Sequence, residues 1–269
     1  MNDHSLGTEV RPSRPTIAQL RSVTQPASVR TRAGAEHWVA SAYLRDLSPY
    51  LTRLLLRAGF TANGVTWLMI LLAALAAVVT GFPGVLAAVV VVLLVQLQML
   101  VDCCDGEVAR WRQMSSPLGV YLDRVGHYVA ECGIAVALGV RVTGAVQLGG
   151  VYISLGLLLG LLVALNKVEN DLVHVARAYA GMAQVRDVED VRVPSHGLLR
   201  TLRRLTRLVP FHRVFHSVEL SILVLLAAVV DALGADGEAT RWLLVGLVVA
   251  AAVTVVGHLA AVLTSSRMK

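Results

Sequence analysis

Residues 84–110 read GVLAAVVVVLLVQLQMLVDCCDGEVAR, and the change of character at Asp102 decides the fold. Positions 84–101 carry no charge, and a helix crossing a bilayer needs about 20 mostly apolar residues. Immediately afterwards come Asp102, Asp105, Glu107 and Arg110. On a helix, positions 102, 105, 106 and 109 fall at i, i+3, i+4 and i+7, which is one face. Gly119, Asp123 and His127 repeat at i, i+4 and i+8 on the next helical stretch, again one face. Two short faces, one with two aspartates and the other with an aspartate and a histidine, can converge on a single divalent cation.

Working outward, the whole chain shares the apolar character of 84–101. Its 269 residues are 56% hydrophobic and only 16% charged, with a mean hydropathy of +0.66. Ordinary soluble domains carry about 25% charged residues, so the composition is that of a membrane protein. The expected fold is all-α, a bundle of six transmembrane helices at about 64–81, 84–101, 118–140, 144–165, 218–234 and 241–263. Gly81-Phe-Pro-Gly84 is a turn between the first two.

The net charge of +6 does not point to nucleic acid, because the basic residues follow membrane topology. They gather in the N-terminal tail, at Arg110, Arg112 and Arg124, between Lys167 and Arg213, and at Arg267 and Lys269. The opposite loops offer only Arg141 and Arg241. By the positive-inside rule both termini and the acidic cluster are cytoplasmic, at the plasma membrane if the cell is prokaryotic. No secretory signal is evident, since the first 35 residues are polar and lack an apolar core.

The expected domain order is a disordered tail over 1–35, an interfacial helix over 36–60 and the six-helix domain over 61–265. The tail is rich in Pro, Ser, Thr and Arg without apolar periodicity. Trp38, Tyr43, Leu44, Leu47, Tyr50, Leu51, Leu54 and Leu55 recur at helical intervals with Arg45, Arg53 and Arg57 among them. That pattern suits an amphipathic helix on the cytoplasmic face; a helix docked on the protein is the alternative. Residues 197–214 alternate leucines with arginines, which suits either an anchor on anionic lipid or arginines reaching toward an anionic acceptor.

Acidic residues at helix depth are costly and mark sites. Neighbouring carboxylates repel unless a cation lies between them. Mg²⁺ prefers oxygen ligands and bridges carboxylates to substrate phosphates. Held there, it would polarise a pyrophosphate and stabilise the leaving phosphate. Gly106, Ala109 and Gly119 clear the same faces for a ligand or a neighbouring helix, and Arg110 can pair with a phosphate. Glu107 reads as a solvated or paired carboxylate. Glu131 either orients His127 or is a buried structural group. Asn166, Lys167, Asn170 and His174 read as the end of the fourth span, and the three cysteines as small thiols without disulfides.

The spacing D-x2-D-G-x2-A-R-x8-G-x3-D, met by Asp102, Asp105, Gly106, Ala109, Arg110, Gly119 and Asp123, resembles that of the CDP-alcohol phosphatidyltransferases. Thr61-Ala-Asn63-Gly-Val-Thr66 resembles the family's entry to the first span, with Ala62 where proline is usual. The resemblance covers about residues 45–265. It implies transfer of a substituted phosphate from a CDP-linked alcohol donor to an acceptor alcohol, with release of CMP, in phospholipid biosynthesis. It also implies Asp102, Asp105 and Asp123 as ligands of Mg²⁺ or Mn²⁺, and Gly106, Ala109, Arg110, Gly119, Asn63 and Thr66 around the CDP moiety. Members are typically homodimers.

The family pattern ends in a fourth aspartate, and here that position is His127. His127 can act as the base for the acceptor hydroxyl, since imidazole changes charge near neutral pH. It can instead mark a catalytically impaired member that binds nucleotide or lipid as a regulator or scaffold, or it can be a ligand. One carboxylate fewer favours metals that accept nitrogen, such as Mn²⁺. A transporter would need polar groups or helix breaks deep in several spans, whereas these acids gather at one end.

Overall fold

The computed structural model describes residues 11–12, 14–30, 38–144, 150–182 and 211–265, and among them there is no strand. Among the described residues six helices are long and apolar enough to cross a membrane. We label them α4 (Ala62–Thr80), α5 (Val85–Arg112), α6 (Pro117–Thr143), α7 (Val151–Tyr179), α8 (Ser217–Ala235, its end a π turn) and α9 (Glu238–Leu263). Two of them outrun the apolar runs that announce them. Helix α5 continues through the acidic stretch to Arg112, and α7 continues to Tyr179. Hydropathy marks where lipid would end, whereas the backbone hydrogen-bond ladder runs on until a residue breaks it. The leucine–arginine segment at 197–214 lies outside the described residues up to position 210.

The fold divides into two compact units, one from residues 1–69 and 99–123, the other from 70–98 and 124–269. The first holds three short helices before α4: α1 (Ile17–Thr24), α2 (Ala27–Arg30) and α3 (Arg45–Arg57), the last entered through a π turn at Ala40–Leu44. Helical order thus reaches into the stretch expected to be a disordered tail. A capping box starts α1: the Gln19 amide donates to Thr16 Oγ1 at 3.2 Å, and the Thr16 amide to Gln19 Oε1 at 2.9 Å. A helix this short is marginal alone, and it is held because Leu20 and Thr24 are fully buried.

Helix α3 buries Ser48, Pro49, Thr52, Leu55 and Leu56, and leaves Leu47, Tyr50 and Leu54 exposed. Its polar positions face inward and much of its apolar face outward. The reason is the buried Glu107 on α5, whose carboxylate accepts from Ser48 Oγ at 2.5 Å and Thr52 Oγ1 at 2.6 Å. The carbonyl of Arg45 would bond the amide at position 49, but Pro49 has none; Gln25 Nε2 donates to it instead, at 2.5 Å.

In the second unit α6 and α7 meet through small residues, as expected where lipid supplies no hydrophobic drive between helices. A Cβ placed on Gly139 would lie 2.6 Å from the Tyr152 carbonyl oxygen, and one on Gly156 would lie 2.8 Å from Gly139 Cα. Backbone faces backbone there, so neither side can yield. Gly156→Val is therefore expected to destabilise the protein by about 3 kcal/mol, read as a lower melting temperature in detergent; an unchanged melting temperature would show that these helices do not touch.

Arg141 is buried and donates through Nη1 to the Phe82 carbonyl at 2.5 Å and through Nη2 to that of Gly84 at 2.8 Å. It clamps the turn between α4 and α5, so this loop charge has a structural use. Asp231 caps α9, accepting the amides of Ala239 at 2.8 Å and Thr240 at 3.2 Å.

Candidate functional site

The entry sequence and the acidic motif are brought together inside the first unit. Thr61 Oγ1 accepts the Gly64 amide at 3.1 Å and starts α4. One turn later Thr66, almost fully buried, donates from Oγ1 to Asp105 Oδ2 at 2.8 Å. This bond ties the Asp105 carboxylate to the first turns of α4. Ser116 Oγ accepts the Gly119 amide at 3.0 Å, and Pro117 opens α6 where a missing amide costs nothing. A Cβ on Gly119 would lie 3.3 Å from Asn63 Oδ1. Gly119 therefore lets the start of α6 lie against the Asn63 amide at the start of α4.

The three aspartates converge. Asp102 and Asp123 each present a carboxylate oxygen, and these lie within 4.8 Å of one another. Asp105 lies close enough to both for their charges to act on it. All three are half-buried. Three acids in one half-buried place repel one another, and a cation relieves the repulsion. His127 stands one turn beyond Asp123 on the uninterrupted helix α6 and is also half-buried. A cation bound at about 2.1 Å from each ligand holds its ligands roughly 3–4 Å apart, a separation that small side-chain rotations reach. Hard carboxylate oxygens suit Mg²⁺ or Mn²⁺, so the residues fit such an ion.

Gly106 and Arg110 make a second arrangement. A Cβ on Gly106 would lie 3.1 Å from Arg110 Nη1 and 3.3 Å from Nη2. The space opened by the glycine is filled by this chain's own guanidinium, which lies across the row leading to Asp102. Arg110 Nε donates to the Thr24 carbonyl at 2.6 Å. Ala109 is half-buried beside it.

Glu107 was not legible as a core residue. It is wholly buried and accepts from Ser48, Thr52 and Gln25. The available signal is the Ser48/Thr52 pair, one turn apart in an otherwise leucine-rich helix. Glu131 pairs with Lys167, Nζ donating to Oε2 at 2.8 Å, and Lys167 also lies 5.4 Å from the Tyr128 ring centroid. Tyr128 and Arg124 both reach Asp171. Lys167 and its neighbours thus lie within α7 rather than at its end. Cys103 and Cys104 are buried and Cys132 is partly buried, all three as thiols rather than disulfides.

Long apolar helices with large side chains turned outward, Leu86 at 79% exposure and Leu71 at 63% among them, are those of a multi-pass membrane protein, and its acidic residues gather where a cation could be held. Comparison adds a family match: residues 60–187, which contain every aspartate of the site, match the model of the CDP-alcohol phosphatidyltransferases. No curated protein matches the sequence.

Proposed function

We propose that this protein transfers a substituted phosphate from a CDP-alcohol to an acceptor alcohol and releases CMP, in phospholipid synthesis. The observation that carries the reading is the convergence of Asp102, Asp105 and Asp123, with Asp105 tied to Thr66, inside the family-matched stretch. A divalent ion held by these carboxylates, Mg²⁺ or Mn²⁺, supplies charge neutralisation on the donor pyrophosphate. Arg110 faces a donor phosphate, with Gly106, Ala109, Gly119, Asn63 and Thr66 shaping the CDP pocket. The acceptor oxygen attacks the phosphorus that bears the donor's alcohol, and the bond from that phosphorus to the CMP oxygen breaks. His127 takes the hydroxyl proton as the new P–O bond forms, and CMP leaves with the bonding electron pair.

The distribution of basic residues supports a cytoplasmic position for both termini and the acidic cluster. There α3 turns Leu47, Tyr50 and Leu54 to the lipid surface. The protein works as a homodimer. The test is CMP release by purified protein over CDP-diacylglycerol and soluble CDP-alcohols with Mg²⁺ or Mn²⁺, with products read by mass spectrometry. Absence of CMP with every donor would leave a nucleotide- or lipid-binding relative.

The role of His127 has its own expected result. His127→Ala should lower kcat about a hundredfold with little change in donor KM. His127→Asp should stay active and need less Mg²⁺ for half its maximal rate, because it adds a hard carboxylate. A His127→Ala enzyme with wild-type kcat would remove the base from the mechanism.

A further inference from the structure

The first unit contains a connection that the proposed reaction does not use. The polar stretch at residues 11–25 is fastened to the C-terminal turns of α5 at three places. Arg11 Nη1 donates to the carbonyls of Arg110 at 2.5 Å and Trp111 at 2.9 Å, which lie among the groups a helix end leaves without internal partners. The Arg11 guanidinium lies 5.6 Å from the Trp111 ring centroid, and Trp111 Nε1 donates back to the Pro12 carbonyl at 3.3 Å. The Thr24 carbonyl accepts from Arg110 Nε at 2.6 Å. Gln25 Nε2 donates to Glu107 Oε1 at 2.8 Å, and also to the Arg45 carbonyl that Pro49 leaves open.

The geometry of the middle contact matters most. Held by Nε, the Arg110 guanidinium lies with Nη1 and Nη2 over Gly106, on the row that leads to Asp102. A long arginine side chain has many rotamers, and fixing one before a ligand arrives lowers the cost of binding. We infer that residues 11–25 are a positioning strap for the donor pocket: the Thr24 carbonyl orients Arg110 toward a nucleotide pyrophosphate, and Arg11 and Gln25 pin the strap on either side. The inference rests on the reading of Arg110 as a donor-phosphate ligand. It makes the N-terminal segment a determinant of donor affinity, although the segment lies outside the family-matched residues.

The test uses the full chain in detergent, with Arg11→Ala, Gln25→Leu and Arg11→Lys. Two quantities are measured: equilibrium binding of CMP with Mg²⁺, and donor KM and kcat. Arg11→Ala and Gln25→Leu are each expected to weaken CMP binding and raise donor KM about tenfold, with kcat within about twofold and acceptor KM unchanged. Arg11→Lys, which keeps a cation for the helix-end carbonyls, should recover most of the loss. A merely structural role would lower the active fraction and the melting temperature and leave donor KM and CMP affinity alone; that result overturns the inference. If the wild type turns over no CDP-alcohol, the proposed function fails while the binding arm still decides the strap: a tenfold loss of CMP affinity in the variants upholds it, and unaltered or absent CMP binding overturns it.

Discussion

Asp105→Asn is expected to lower CMP release by about a thousandfold while leaving the protein folded. The substitution keeps the shape of the side chain and a carbonyl oxygen for the Thr66 hydroxyl, which is 2.8 Å away in the native protein. What it removes is a negative charge beside Asp102 and Asp123. Without a cation that charge is repulsive, so the melting temperature of metal-free protein should stay level or rise. With Mg²⁺ present the sign reverses: the ion should raise the melting temperature of the wild type and hardly that of Asp105→Asn, because a ligand that binds only the native state stabilises it by mass action. The pair of melting curves separates loss of ion binding from loss of fold. Retained CMP release, or an equal Mg²⁺ shift in both proteins, would take Asp105 out of the cation site.

Glu107→Leu should have the largest effect on stability. The native carboxylate is fully buried and accepts three hydrogen bonds, from Ser48, Thr52 and Gln25. Leucine matches the apolar packing but takes the acceptor from the Ser48 and Thr52 hydroxyls and one of the bonds from Gln25 Nε2, which keeps the Arg45 carbonyl, and each buried group left unpaired costs about 1–3 kcal/mol. Because the groups form one network the losses do not simply add, and a total of about 3–5 kcal/mol is expected. Glu107→Gln keeps one carbonyl oxygen, and the two hydroxyls can turn to suit it, so it should lose less than half as much. Denaturant melts followed by helical signal would check both. A Glu107→Leu protein within about 1 kcal/mol of wild type would mean that this network does not hold the first unit together.

The six apolar helices and the placement of the acidic motif were legible from the chain alone. A lipid-crossing helix closes its own hydrogen bonds, so a long uncharged run suffices to predict it without knowledge of any neighbour. The same holds for faces: once 102–109 and 119–127 are helical, the 3.6-residue period puts Asp102 with Asp105 and Asp123 with His127.

What stayed hidden depends on partners far away in sequence. Nothing local to Glu107 distinguishes a buried acceptor from a solvated acid; its three donors come from Gln25, Ser48 and Thr52. Residues 14–30 have no apolar period, and their helices are held by the burial of Leu20 and Thr24 and by the polar bonds of Thr24 and Gln25 to Arg110 and Glu107 on α5. Gly139 and Gly156 look like any glycines in a membrane helix until their backbones are seen to meet. Local periodicity and helix self-sufficiency thus determined the spans and the faces that carry the acidic motif. Tertiary structure decided which polar side chain each buried donor and each orphaned carbonyl would find, since a hydrogen bond selects its partner by distance and direction rather than by nearness in sequence.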